Sequence, residues 1–423
     1  MIVRPALSRG EGIPSAELLY SCVQEHEGNL TRLVKLREYY QGKHQVMNRR
    51  RMSGLPNNAL VHGFPRYICV MTSGYLIGQP IAYQAPGQEA ALEKMQEAFR
   101  RTDMDSVDAE LARDAAIYGK GVELIYSDAQ GRPRSAAVSP EEAFVVYEDS
   151  VEAQPMLGIR GVPVLKADGT PEGWQYQVYT RQKKLTYRMR ERSLRGFEKP
   201  AEEQRHFFGQ APMVEYWNGE DERGDFENAI SLIDAYDLLQ SDRLNDKQQF
   251  VDALLVLYGC TLEPDEAGRS PGRQLREDKA IALPDGDARV EWLCKQMNEA
   301  DTEVLKNALN ADIHKMCMVP DMTDLNFAGN SSGVAMRYKL LGLEQLTRIK
   351  ERWFREGLMQ RIRLYAGYLQ LTGMPEMDAD AVRPVFTRAL PVNELEIAQT
   401  ISQLRGLVED EKLLRKAEAS LGV

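Results

Sequence analysis

Residues 228–258 read NAISLIDAYDLLQSDRLNDKQQFVDALLVLY. The stretch has no proline, and Ile230, Ile233, Leu238, Leu244, Phe250, Leu254 and Leu257 recur near helical spacing. It therefore predicts one long helix, about 45 Å if about 30 residues are helical, stopping at Gly259. Thr261 to Trp292 carry Pro264, Gly268, Pro271, Gly272, Pro284 and Gly286 around the short apolar run Ala280 to Leu283. Breakers that dense predict a small α/β or β insertion. A second helix is predicted from Asn298 to about Met318, so two helices bracket the excursion. Pro320 breaks the return helix, and Asp321 to Gly333 is small, polar and loop-like. The longest helix follows, about Val334 to Thr372, with Leu343, Leu346, Ile349, Trp353, Leu358, Ile362, Tyr365 and Leu369 along one face.

Charge separates these segments. Glu215 to Asp246 contains ten acidic residues against only Arg223 and Arg243, whereas Val334 to Thr372 contains eight Lys or Arg against three acids. The whole chain of 423 residues carries a formal charge of −10. A chain with this balance is not built to hold nucleic acid by neutralising phosphates, although DNA can pass close by without adhering. At 43% apolar and 27% charged residues, the composition fits folded domains and excludes wholesale disorder.

Upstream, helices are expected after Ser15 and over Val61 to Leu76, Gln88 to Phe99 and Val107 to Tyr118. Pro56-Asn57-Asn58 reads as a turn, and a short strand follows at Ile81 to Tyr83. Val122 to Tyr126, Ala136 to Val138, Phe144 to Tyr147, Met156 to Val162, Trp174 to Thr180 and Lys184 to Met189 repeat a strand-and-turn rhythm, predicting antiparallel hairpins. A last strand, Val382 to Arg388, precedes a helix from about Asn393.

Catalytic motifs are missing. Gly119-Lys120-Gly121 lacks the GxxxxGK[ST] frame of a phosphate-cradling loop and reads as a turn between helix and strand. Neither GxSxG nor HExxH occurs. His44, His62, His206 and His314 stand apart in sequence and read as packed or surface residues. The pairs Asp301/Glu303 and Asp221/Glu222 have the chemistry to hold magnesium, but a solvated helix face accounts for them as well. Arg49-Arg50-Arg51 reads as a surface patch or subunit contact ahead of a phosphate site. The five cysteines are scattered, which argues against a disulfide framework or zinc site and fits a reducing cytoplasm. No signal peptide and no apolar run of membrane length are evident. No metal, no cofactor and no membrane partner are expected.

The order of several segments is similar to one family. Tyr39-Tyr40-x-Gly42-x-His44, Pro56-Asn57-Asn58, Phe64-Pro65-Arg66-Tyr67-Ile68 and Gly74-Tyr75-Leu76-x-Gly78-x-Pro80-Ile81 resemble the N-terminal region of portal proteins of tailed double-stranded DNA bacteriophages, siphovirus type. Asp237 to Asp246 with Phe250-Val251-Asp252, Asn330 to Ala335 with Lys339 to Glu344, and Arg388 to Glu394 continue the resemblance in the family's order.

The resemblance implies an α+β portal fold. It maps onto this chain as a wing (1–227), stem helix 1 (228–259), a clip (260–296), stem helix 2 (297–319), a tunnel loop (320–333), a long wing helix (334–372), a wing strand (373–390) and a short helical crown (391–423). It also implies a non-enzymatic, dodecameric homo-oligomeric ring at one capsid vertex of the virion, assembled in the host cytoplasm. Double-stranded DNA would pass through its channel. The implied partners are the terminase large subunit, head-completion or adaptor proteins with the tail, and the major capsid and scaffolding proteins. Many relatives extend further into a larger crown than this chain does.

A DNA channel must ignore phosphates, because tight contacts would have to break at every step. Asp234, Asp237, Asp242, Glu299, Asp301 and Glu303 suit an acidic stem lining if they face the lumen. Thr323, Asp324, Asn326, Asn330 and Ser331 are the expected DNA-facing residues of the tunnel loop. Twelve copies would carry about −120, a field that basic subunit faces must offset; Arg348 and Arg352 on the basic helix are the expected contacts. A metal-dependent nuclease using Asp301 and Glu303, and a different head–tail adaptor ring, are the alternatives.

Overall fold

The computed structural model describes residues 1–6, 13–51, 56–249, 254–258, 289–293, 299–322, 338–388 and 402. Its elements, in chain order, are β1 (Ile2–Arg4), α1 (Ala16–Tyr40), α2 (Phe64–Ile77), β2 (Ala82–Gln84), α3 (Glu89–Thr102), α4 (Met104–Tyr118) and β3 (Lys120–Ser127). Then come β4 (Pro133–Val138), β5 (Ala143–Glu148), β6 (Pro155–Leu165), β7 (Pro171–Tyr179), β8 (Lys183–Met189), β9 (Glu202–Arg205) and β10 (Met213–Trp217). α5 (Ile230–Gln249), β11 (Leu254–Tyr258), β12 (Arg289–Leu293), α6 (Glu299–Met316), α7 (Leu341–Leu371) and β13 (Arg383–Val385) complete the set. The chain divides into two compact units. One comprises Met1–Lys43, Gly63–Ile230 and Ile313–Val423, and the other His44–His62 and Ser231–Asp312.

The first unit is layered. Its six-stranded sheet has the order β1-β5-β6-β7-β8-β9, with β1 parallel to β5 and every other pair antiparallel. Alternation along the strands sends Phe144, Val146, Leu157, Ile159, Val178, Leu185 and Tyr187 to one face, where Leu19, Cys22 and Val23 of α1 cover them. Ser15 begins α1 by accepting a hydrogen bond from the Leu18 N–H at 3.2 Å. The opposite face meets a three-stranded sheet, β10-β3-β4, through Val145, Tyr147 and Tyr179 against Val122, Leu124, Val138, Met213 and Trp217. The far side of that smaller sheet, with Ile125, Val214 and Tyr216, is covered by α3, α4 and α7. Gly119 ends α4 at φ +91°, and a Cβ there would lie 2.0 Å from the Glu222 carbonyl oxygen, so only glycine fits the turn.

Ionic groups set α7 on the sheet. Arg361 is fully buried; its Nε donates to both Glu123 oxygens at 2.9 Å, and its Nη1 lies 2.6 Å from Asp108. The Tyr216 hydroxyl donates to Glu123 at 2.6 Å. Lys350, also buried, donates to Asp225 at 2.5 Å. The buried face of α7 thus includes Thr347, Lys350 and Arg361, while the expected core residue Ile349 is 49% exposed. Leu343, Leu358, Ile362 and Tyr365 are buried as the apolar spacing predicts, and Lys350 and Arg361 join them because carboxylates on other elements compensate the two cations.

The expected helix to Tyr258 also needs correction. α5 ends at Gln249, and Leu254–Tyr258 is instead β11, antiparallel to β12 from Leu254↔Leu293 to Tyr258↔Arg289. A five-residue apolar run satisfies helical and strand periodicity alike, and the pairing partner decides. The return helix matches its expected span closely, as α6. The run Ala280 to Leu283, the loop from 323 and the expected helix from about Asn393 lie outside the described residues, apart from Ser402.

Candidate functional site

The second unit holds all six acids expected to line a channel. On α5, Asp237, Ser241 and Asn245 recur every four residues and are all fully buried. His44, Asn58, Leu60 and His62 lie along this polar stripe. Asp237 accepts from His44 Nδ1 at 2.5 Å, His62 Nδ1 at 2.8 Å and the His62 backbone N–H at 2.9 Å. Ser241 Oγ accepts from the Leu60 N–H at 2.9 Å, and Asn245 Oδ1 accepts from the Asn58 N–H at 2.7 Å. Asp242 binds Arg49 Nη1 at 2.6 Å and also Arg51. Burial alone would raise the Asp237 pKa, but the hydrogen bonds from His44 and His62 hold it below the usual carboxylate range.

Asp237 is therefore withdrawn from the expected lining, because its carboxylate is enclosed by the chain's own histidines. Of the triplet read as a surface patch or subunit contact, Arg49 and Arg51 both bond to Asp242 of the same chain. Glu299 and Glu303 on α6 are countered as well. Arg243 donates to both at 3.0 and 2.9 Å, Lys247 reaches Glu299 at 2.8 Å, and Lys306 reaches Glu303 at 2.7 Å. These hydrogen bonds lower both carboxyl pKa values. Asp301 is exposed and Asp234 half-buried. The helix pair thus presents acids largely matched by cations of the same chain.

This pairing also removes support from the nuclease alternative. Both Glu303 oxygens are engaged by cations, and among the described residues no group of three His, Cys, Asp or Glu side chains is placed to hold a metal. Glu222, of the other acidic pair, receives the N-terminal amine at 2.6 Å.

In the first unit, the chain after α6 is pinned at the start of the expected tunnel loop. The Tyr67 hydroxyl donates to the Pro320 carbonyl at 2.8 Å and accepts from the Met322 N–H at 3.2 Å. His314 Nδ1 lies 2.9 Å from the Val319 carbonyl, with the Phe64 and Tyr67 rings beside it. Thr323, Asp324, Asn326, Asn330 and Ser331 lie outside the described residues. On α7, Arg348 is 64% exposed and bonded to Glu344 of its own helix at 2.8 Å; Arg352 is exposed.

A family model described as phage portal protein, SPP1 Gp6-like, matches residues 19–419. The chain belongs to that phage portal family. It is 23% identical over 416 residues to the portal protein of Bacillus phage SPP1, covering 92% of this chain and 80% of the relative. It is 21% identical over 404 residues to the portal protein of Clostridium phage phiCD119, covering 90% of this chain and 88% of the relative. Among solved structures, a chain from the neck of an empty gene transfer agent particle aligns at a TM-score of 0.48 and 15% identity, covering 90% of this chain and 92% of that one. A chain from a native gene transfer agent virion aligns at 0.45 and 13%, covering 91% and 92%. No helix among the described residues is long and apolar enough to cross a membrane.

Reading the portal sequence alone missed the histidine pair around Asp237 and the buried Arg361 cluster. The polar stripe Asp237, Ser241, Asn245 was visible as spacing four, but nothing local named its partners 175 or more residues away. Placing this family member in the capsid portal of a virion follows from the family itself.

Proposed function

We propose that this portal protein forms a ring through which double-stranded DNA enters and leaves the capsid. The match to the portal family over residues 19–419 carries this reading. In it, the helices α5 and α6 serve as the stem, the segment between them as the clip that docks the terminase motor and later the head-completion proteins, and α7 as the long wing helix. ATP hydrolysis belongs to the motor, consistent with the missing Walker frame in this sequence.

The wall of such a channel works best when it neither attracts nor strongly repels a polyanion. Attraction would cost a broken contact at every step, and a bare acidic wall would oppose entry. The pairing of Asp242, Glu299 and Glu303 with neighbouring cations supports a moderated acidic lining, to which Asp234 and Asp301 on the same two helices also belong in this reading. The segment 320–333 is the DNA-facing loop of this proposal, through Thr323, Asp324, Asn326, Asn330 and Ser331.

Negative-stain images of the purified protein test the ring: end-on views should show an annulus with a central hole, and particles that stay single globules under all assembly conditions refute it. Bulky replacements at Gly329 and Gly333 test the loop. Rings should still form while DNA packaging falls, and normal packaging by such variants removes the loop from the mechanism.

A further inference from the structure

The six-stranded sheet of the first unit ends in two open edges of opposite charge. β1 stands at one side of the order and β9 at the other, and neither pairs with a further strand among the described residues. Five strand spacings put the two edges about 24 Å apart, on opposite sides of one body. Acids flank the β1 edge. The β5–β6 turn, residues 147–154, holds Glu148, Asp149 and Glu152 and no Lys or Arg. Its backbone is fixed: the Asp149 N–H donates to the Arg4 carbonyl at 2.8 Å, and the Glu148 N–H to the Gln154 carbonyl at 2.9 Å. Asp149 and Glu152 are exposed, and Val151 between them is wholly in solvent. At the other end of β1, Glu220 and Asp221 are exposed beside Glu222, which holds the N-terminal amine. Of the cations nearby, Arg4 is matched by Glu25, and Arg223 donates to Asn228.

β8, β9 and the connection between them are the reverse. Residues 181–205 hold nine Lys or Arg against four Glu, in a chain whose net charge is −10. Register sends Lys183 and Arg205 to the face that α1 covers, and Lys184 and Arg188 to the other, so both faces of this edge are cationic. Lys183 pairs with Glu203 and Arg192 with Glu27, which leaves seven of the nine cations and three of the four glutamates without an ion pair among the described residues. Arg181 and Arg188 donate only to neutral acceptors, the Gly209 carbonyl and Gln175. Leu194 is exposed among these cations.

We propose that the basic β8–β9 edge of one subunit docks on the acidic β1 edge of the next copy around the ring. This docking rests on the ring reading above and names one of its interfaces. A head-to-tail ring needs two complementary surfaces on opposite sides of each subunit, so that one interface repeats until the rotation closes. Opposite charge at opposite edges of a single sheet meets that need. A surface kept for nucleic acid or for another protein would need the cationic edge alone and would leave the matching acids without a use. Copies that each carry −10 repel one another unless their facing surfaces differ in sign. Val151 and Leu194 add one exposed apolar side chain to each edge.

Exchanging charge between the edges of the full chain tests this. Arg181→Glu, Arg188→Glu and Arg190→Glu together reverse the basic edge, and Asp149→Lys, Glu152→Lys and Asp221→Lys reverse the acidic one; all six positions are exposed. In negative stain and size-exclusion chromatography, each triple variant alone should lose annular particles at least about tenfold, because like charges then face each other. An equimolar mixture of the two should recover annuli, since alternating subunits restore opposite charge at every interface. Mixing would not rescue misfolded chains. Normal annuli from either variant alone, or no recovery in the mixture, overturns the docking while leaving the ring itself in place. Wild type that never forms annuli removes the ring reading, and this contact with it.

Discussion

Arg361→Met offers a sharp test of how α7 is held. Methionine keeps much of the aliphatic volume while removing the guanidinium that lies between Glu123 and Asp108. Arg361 and Glu123 side chains are both 0% exposed and Asp108 is 5% exposed, so solvent cannot take over the vacated interactions. Glu123 would retain only the Tyr216 hydroxyl among the partners described above. Removing one partner of such a buried pair costs about 3–5 kcal/mol, because the remaining charge is uncompensated. At about 2 °C per kcal/mol for a unit of this size, calorimetry should show a Tm lower by about 6–10 °C at pH 7.

The deficit should shrink as pH falls toward about 5. Even beside the guanidinium, burial raises Asp108 to about 6, and without Arg361 that carboxyl would bind a proton more readily when folded. A folded pKa above the unfolded value favours the folded state at low pH, and that advantage is lost as pH rises through the folded pKa. Combining Arg361→Met with Glu123→Gln and Asp108→Asn should recover much of the loss, since no charge then stays buried. A Tm within about 1 °C of wild type, or a deficit equal at both pH values, would refute the account.

Other expectations follow from single contacts. Gly357→Ala would place a Cβ 2.5 Å from the Tyr216 ring, where α7 meets β10; overpacking of this kind costs about 1–3 kcal/mol, readable in the same calorimetry. Asp237→Asn should speed amide exchange at Leu60 and His62, with about 1.5–3 kcal/mol lost for a charged hydrogen bond. Because the folded Asp237 pKa is lowered, its stabilisation is present above about pH 4 and disappears as pH falls through the folded value; the variant should lack that acid dependence. Charge reversal at Arg348 and Arg352 should shift the ring toward smaller species on size-exclusion chromatography. An unchanged ring there counts against the interface assignment.

Periodicity and breakers in this chain were enough for the elements whose information is local. α1 after Ser15, the hairpins from β3 to β8, and the α6 return helix follow from residue spacing, caps and turn formers within a few positions. The family, too, could be read from segments in their order. Tertiary structure decided what depends on distant partners: Leu254–Tyr258 became a strand because Arg289–Leu293 pairs with it, and Lys350 and Arg361 entered the core because Asp225, Glu123 and Asp108 meet them there. The acids of α5 were visible as charge, but whether they face a channel or their own chain depends on which cations fold against them. Side-chain period is a one-dimensional property, whereas charge compensation is a three-dimensional one, and a buried ion is tolerated only where its counterion arrives.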